Sequence, residues 1–288
     1  MKRIVRAALA LLLLVCAGWA QAQSCSLSSG SANAVVTDIF GGNTDVAGSV
    51  TFSCTRPSGA ANRFPATFWI GISGSNGSRT MSNGANTLGY YLFTNYSACS
   101  TAWQTTTGLT YANTLTGNTN TSVTFTVPFC LRIYSGQTTA KPLAYTGAAL
   151  TLTVRSTNST GFSWGTASGA PTATVNARCY FSTSPSTVSM NYTSFQAATA
   201  AGSGSFQMRC TNTTTYSLAL DAVTGSVLGL TYGVGLGTVG TGSVTGQVGT
   251  GNAQTFTVAA NIASGQAGTC NLSAGCSGTS TRTITATY

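Results

Sequence analysis

Short windows of alternating apolar and polar residues recur along most of the chain after residue 25, at 49–54, 67–72, 122–127, 149–154, 205–210, 254–258 and 281–288. Val, Thr, Phe and Tyr dominate these windows, and clusters of Gly, Ser and Asn separate them. Period-two alternation puts one side of an extended segment into a core and the other into water, so each window predicts a half-buried β-strand. No stretch places apolar residues at helical spacing between capping residues. The chain is expected to be all-β, built as sandwiches.

The predicted strands fall into two sets that repeat. A cysteine-bounded unit runs from Cys25 to Cys54 and again from Cys179 to Cys210, spacings of 29 and 31, and in each a Gly-Ser pair opens the strand that ends on the second cysteine. Thr124-Phe125-Thr126-Val127 returns as Thr255-Phe256-Thr257-Val258. Leu88-Gly89-Tyr90 has a counterpart in Leu230-Thr231-Tyr232, and Ser135-Gly136-Gln137 in Ser264-Gly265-Gln266. Landmarks shared in the same order predict a duplicated domain. Each copy spans roughly 110–130 residues, enough for one sandwich core. The expected organisation is an export signal over 1–22, a first domain over 23–154, a polar Gly/Pro/Ser-rich linker over 155–178 and a second domain over 179–288. The copies differ between Cys54 and Thr124, where the first carries about 25 more residues than the second and most of the aromatic ones.

Residues 1–22 have a charged start (Lys2, Arg3, Arg6), an apolar run from Ala7 to Trp19 and a small-residue cleavage site at Ala20-Gln21-Ala22. The run is too short for a membrane span, so the mature chain is expected to be exported without one. Cys16 is read as lost with the signal, since Val15 before it fits a lipid-attachment site poorly. Eight cysteines then remain, four per repeat, and an exported chain should oxidise them. Four cysteines allow three pairings in each domain; sequence order and the repeat favour Cys25–Cys54, Cys99–Cys130, Cys179–Cys210 and Cys270–Cys276.

Composition removes several classes of function. The chain has no His and no Glu, and its three acids are Asp38, Asp45 and Asp221. Acid–base pairs, Ser-His-Asp triads and two-carboxylate glycosidase sites cannot be assembled from that inventory, so no enzyme is expected. Clustered calcium ligands and zinc spacings are missing too, so neither metal nor cofactor is expected. The basic residues left after the signal (Arg56, Arg63, Arg79, Arg132, Lys141, Arg155, Arg178, Arg209, Arg282) are scattered singly, which is no stripe for nucleic acid.

The paired cysteine loops, the two Leu-x-Tyr elements, the two Ser-Gly-Gln elements and the closing strand at 281–288 resemble the spore coat protein U domain family, which includes subunits of archaic chaperone–usher pili. The resemblance covers both repeats. It implies immunoglobulin-like sandwiches in tandem, the second lacking a strand that a periplasmic chaperone, and then an adjacent pilin subunit, supplies by β-augmentation after passage through an outer-membrane usher. Ile284, Ala286 and Tyr288, on one face of the closing strand, are the expected chaperone and donor-strand interface, because nothing after them covers the far edge. With Cys25 the third residue after the cleavage site, too few residues precede it for a donor strand. The resemblance therefore implies a pilus-tip adhesin that mediates surface attachment and biofilm formation. Because the residues ahead of Cys179 stand where a donor segment would, part of 161–175 is expected to fold back and complete the first domain. The alternative is a cell- or spore-coat protein not displayed on a fibre.

For the adhesive surface the candidates are Tyr96, Trp103, Phe129 and Leu131. A Cys99–Cys130 bond would draw them together, and 128–131 is two residues longer than its counterpart. An exposed apolar patch there would meet an abiotic or host surface. A glycan groove is the rival reading, and packing in the larger domain's core is the third.

Overall fold

The computed structural model describes residues 24–56, 64–73, 79–104, 106–113, 121–161, 163–272 and 274–288, so the signal expected over 1–22 lies outside the described residues. Every regular element among them is a β-strand. The first domain contains β1 (Ser24–Ser31), β2 (Asn33–Val36), β3 (Thr44–Thr55), β4 (Thr67–Ile72), β5 (Arg79–Asn83) and β6 (Asn86–Phe93). It continues with β7 (Leu109–Ala112), β8 (Ser122–Ile133), β9 (Ala144–Gly147), β10 (Leu150–Ser156), β11 (Ser163–Gly169) and β12 (Thr172–Val175). The second contains β13 (Cys179–Thr183), β14 (Ala200–Cys210), β15 (Thr215–Leu220), β16 (Thr224–Val227), β17 (Leu230–Leu236), β18 (Ser243–Val248), β19 (Ala253–Ile262) and β20 (Ile284–Thr287).

The strand orders carry the duplication. One sheet of the first domain runs β1-β3-β8-β6-β5-β9-β12-β2, and its first five strands match the β13-β14-β19-β17-β16 sheet of the second. The facing sheets are β11-β10-β4-β7 and β18-β15-β20, which share one order once the extra β11 is set aside. β1 and β2 lie at opposite edges of their sheet with only Ala32 between them in sequence, so the sheet curls round the core. Cys25 pairs directly across from Cys54 and Cys179 from Cys210, and both pairs are disulfide-bonded, as are Cys99–Cys130 and Cys270–Cys276.

Two of the repeated landmarks form one clamp. The Gln137 side chain accepts from the Gly89 N–H and donates to the Gly89 carbonyl. Gln266 does the same to Thr231, at 2.7 and 2.9 Å. Each Ser-Gly-Gln glutamine thus satisfies the backbone of the middle residue of its Leu-x-Tyr strand, and the turn glycines Gly136 and Gly265 sit at φ 75 and 76, where a side chain would be strained.

The linker expected over 155–178 is corrected. β10 runs to Ser156, β11 lies antiparallel along β10, and β12 is held between β9 and β2, leaving only 176–178 as the join. The segment looks polar because its outward residues are Thr and Ser, while Trp164, Ala173 and Val175 point into the first core. Across the join, Arg178 pairs with Asp38, Phe40 lies 5.9 Å from the Tyr180 ring, and the Arg209 guanidinium sits 4.3 Å over Phe40. Asn212 donates to the Thr139 carbonyl at 3.1 Å.

Candidate functional site

β20 forms because Ile284 and Ala286 alternate with threonines and can bury one face while the β-branched residues favour an extended chain. It pairs antiparallel with β15, Ala286 opposite Leu218 and Ile284 opposite Leu220. Its other edge carries no strand among the described residues. Ile284 and Ala286 are half-buried against the second core, and Tyr288, continuing the same face, is 58% exposed. Of the expected interface residues, two therefore line the open edge and the third stands in solvent beside it.

The counterpart of β20 in the first domain is β10, where Leu152 pairs with Ile72 and Val154 with Ile70. There the outer edge is covered. β11 pairs Gly169, Ala167 and Gly165 with Leu150, Leu152 and Val154, and Leu152 and Val154 are 3% and 1% exposed. Trp164 completes the cover: its ring packs 5.5 Å from both Phe64 and Phe68. Gly165, at φ +141, passes so close to β1 that a Cβ there would lie 2.6 Å from the Cys25 carbonyl. β11 thus closes the gap between β10 and β1. No strand among the described residues closes the equivalent gap between β20 and β13.

The expected adhesive set is corrected in three of its four members. Tyr96 is 52% exposed, but Trp103, Phe129 and Leu131 are buried in the first core. β8 continues through 128–131, so the extra residues are strand interior and not a loop. Phe129 lies over Gly48, where a Cβ would come within 2.4 Å of its ring, and Trp103 packs 5.2 Å from it. The Trp103 indole N–H donates to the Ile70 carbonyl at 2.9 Å, which satisfies its polar atom inside the core. Both rings border an apolar pocket of about 40 Å³ next to the β11–β12 turn.

A half-buried aromatic cluster that the spacing did not mark lies on β6, β8 and the turn after β8. Tyr91 packs 4.5 Å from Tyr134 and 5.9 Å from Phe93, and the Arg132 guanidinium lies 5.1 Å over Phe93. Arg132 donates two 2.6 Å hydrogen bonds to Asp45, which raise its pKa further. Only the pairing of β8 with β3 and β6 brings these residues together, so spacing gave no signal. Asp45 also approaches the sulfurs of Cys99 and Cys130, but those are bonded to each other and the carboxylate is held by Arg132, so no metal ligand set is left there.

The Spore Coat Protein U domain family model matches residues 11–154, half of the chain. No curated protein matches it. Among solved structures, the chain is similar to the chaperone–tip adhesion subunit pre-assembly complex CsuC–CsuE of the archaic chaperone-usher Csu pili of Acinetobacter baumannii, at 16% identity and a TM-score of 0.48, covering 92% of this chain and 100% of that one. It is also similar to the CupB6 tip adhesin of Pseudomonas aeruginosa, at 12% identity and a TM-score of 0.38, covering 84% and 89%. A third likeness is CfaE, the adhesive subunit of the CFA/I fimbria of enterotoxigenic Escherichia coli, at 9% identity and a TM-score of 0.30, covering 83% and 88%.

Proposed function

Because this chain belongs to the spore coat protein U domain family, we propose that it is an exported, non-enzymatic fimbrial adhesin that sits at the tip of a chaperone–usher pilus. In this reading the second domain is the fibre-facing module. It accepts a strand first from a periplasmic chaperone and then, at an outer-membrane usher, from the adjacent pilin. The first domain faces outward and makes the surface attachment that starts a biofilm.

The observation that carries the reading is the difference between the two equivalent edges. β10 is covered by β11 of its own chain, whereas β20 carries no strand on its outer edge among the described residues. A subunit inside a strand-exchanging fibre offers the segment ahead of its sandwich to the next subunit. Here the segment ahead of the second sandwich is β11–β12, already built into the first. The second domain can receive a strand, and the segment it would give is taken. A coat polymer built by strand exchange would need that segment free, which counts against the alternative.

The test is periplasmic expression of the exported chain with and without a pilus chaperone. Soluble yield that depends on the chaperone, in a one-to-one complex lost when 281–288 is removed, is the expected result. A soluble chain that melts cooperatively in both domains without chaperone would overturn the reading.

A further inference from the structure

We infer that the end of the second domain farthest from the join, marked by Phe195, Leu228 and Leu272, is a docking face for the folded body of the adjacent pilin. The docking rests on the fibre reading above and is a contact separate from the accepted strand. Its template lies inside the chain, at the join between the two domains.

β3 and β8 of the first domain correspond to β14 and β19 of the second. The start of β3 meets the end of β8, Thr44 opposite Ile133, and the loops at that end carry the second domain. Phe40 lies between Tyr180 and Arg209, and the Thr139 carbonyl accepts from Asn212. The Thr138 carbonyl approaches Gly251 so closely that a Cβ there would collide with it. One end of the first sandwich thus meets the opposite end of the second, where Arg209 pairs with Ala253. A head-to-tail contact of this kind does not close on itself, and leaves the far end of the last domain able to take the next one.

That far end repeats the construction, with Ala200 opposite Ile262. The Gly136 N–H donates to the Ile39 carbonyl, and the Gly265 N–H to the Gln196 carbonyl, so the same two loops are tied together in each domain. Phe40 follows Ile39 and Phe195 precedes Gln196, which sets a phenylalanine beside each tie. Phe40 is half-buried against the neighbouring domain, whereas Phe195 is 71% exposed. The Phe195 N–H donates to the Gln266 carbonyl and the Thr269 N–H to the Leu228 carbonyl, so 266–269 runs between Phe195 and Leu228. Leu272, 64% exposed, follows in the loop closed by Cys270–Cys276. Phe195 and Leu228 hold left-handed backbone, φ 58 and 51, which is costly for a residue with a Cβ and gathers where a surface is used for contact.

Chain direction and charge name the occupant. β11 lies antiparallel along β10, and its continuation β12 delivers the second domain to the Thr44–Ile133 end of the first. A strand accepted beside β20 in the same sense brings its own domain to the Ala200–Ile262 end. Residues 184–199, 226–230 and 262–281 include no charged side chain, whereas the join uses Asp38, Arg178 and Arg209. The face offered by the pilin is therefore apolar, and the contact is insensitive to salt.

The experiment introduces Phe195→p-benzoylphenylalanine into the exported full chain, in cells that assemble the fibre, and irradiates the sheared fibres. The expected result is a covalent link from position 195 to one pilin. The same photoreactive residue at Val248, exposed at the join end opposite Thr215, should give none. Phe195→Ser combined with Leu272→Ser, both at exposed positions, should leave the one-to-one chaperone complex at full yield. The doubly substituted chain should leave the fibres about tenfold faster on mild heating, and the unsubstituted chain no faster in high salt than in low. No pilin linked at 195, unchanged release of the double variant, or release hastened by salt would overturn the docking face while the fibre reading stands. An unsubstituted chain absent from the fibres would overturn both.

Discussion

β10 and β20 carry similar alternating sequences and sit beside equivalent neighbours, yet one is deep in a core and the other lies at its rim. Among the described residues the first domain packs 32 buried apolar residues with six more partly buried around them. The second has 12 of each. Of the exposed large apolar residues, Val35 and Tyr96 belong to the first domain, and Phe195, Leu228, Val239, Val248, Leu272 and Tyr288 to the second. The strands themselves hardly differ. What differs is whether a further strand lies on the edge, and one strand decides whether a row of apolar side chains is core or surface.

The sharpest way to break that difference is to remove the cover. Replacing Ser163–Gly169 with an equally long Gly/Ser segment should turn the edge of β10 into one like that of β20. The first domain should then lose its separate melting transition and share the second domain's dependence on chaperone; calorimetry of the exported chain reads this directly. Unchanged melting would show that β11 is decoration.

Point substitutions probe the same contrast at smaller scale. Trp164→Ala should cost the first domain about 3–5 kcal/mol, as for a buried aromatic ring removed from a packed core. Ile284→Ala, at a half-buried site, should cost the unoccupied second domain only about 1 kcal/mol. Equal losses in denaturant titrations would mean that the two edges are equally filled.

A further control is the glutamine clamp. Gln137→Ala leaves the half-buried Gly89 N–H and carbonyl without their partner and should cost about 1–3 kcal/mol, whereas Gln266→Ala, whose bonds to Thr231 are exposed, should cost about 0.5–1.5 kcal/mol. The smallest effect is expected at high pH. Burial raises the hydroxyl pKa of Tyr90 and Tyr145 in the first domain and of Tyr216 in the second. Such groups stabilise fully below the unfolded value of about 10 and lose that contribution as pH rises through the raised one, so the first domain, with two, should give way first in an alkaline titration followed by tyrosine absorbance.

Alternation alone was enough to place the strands at 49–54, 122–127 and 205–210. The clamp explains why two short landmarks survived in both copies: each glutamine needs its strand, and each turn needs its glycine. What alternation could not say is which strand finds a partner. By composition residues 163–175 read as a linker, because β11 alternates Thr and Ser with Gly and Ala and a single tryptophan supplies most of its burial; only their place ahead of the second repeat suggested that part of 161–175 folds back onto the first domain, as β11 and β12 do. Trp103 read as surface because a disulfide joins its loop to β8, and Phe129 and Leu131 because their stretch read as a loop, whereas it is the interior of β8 and the bond holds the Trp103 loop against the sheet. Register across sequence gaps as long as the 87 residues between Asp45 and Arg132 lies beyond any local pattern.

The way the chain leaves the first domain has a mechanical consequence. β12 is an inner strand, bonded to β2 on one side and β9 on the other, and it runs straight into the three-residue join to β13. A pull between the domains acts along its length, so both rows of hydrogen bonds are sheared together and do not peel one at a time. The join is braced by Phe40 between Tyr180 and Arg209 and by the Asp38–Arg178 pair. Traction therefore has to draw out β12 before it reaches β11, and Trp164 stays seated until the sheet itself gives way.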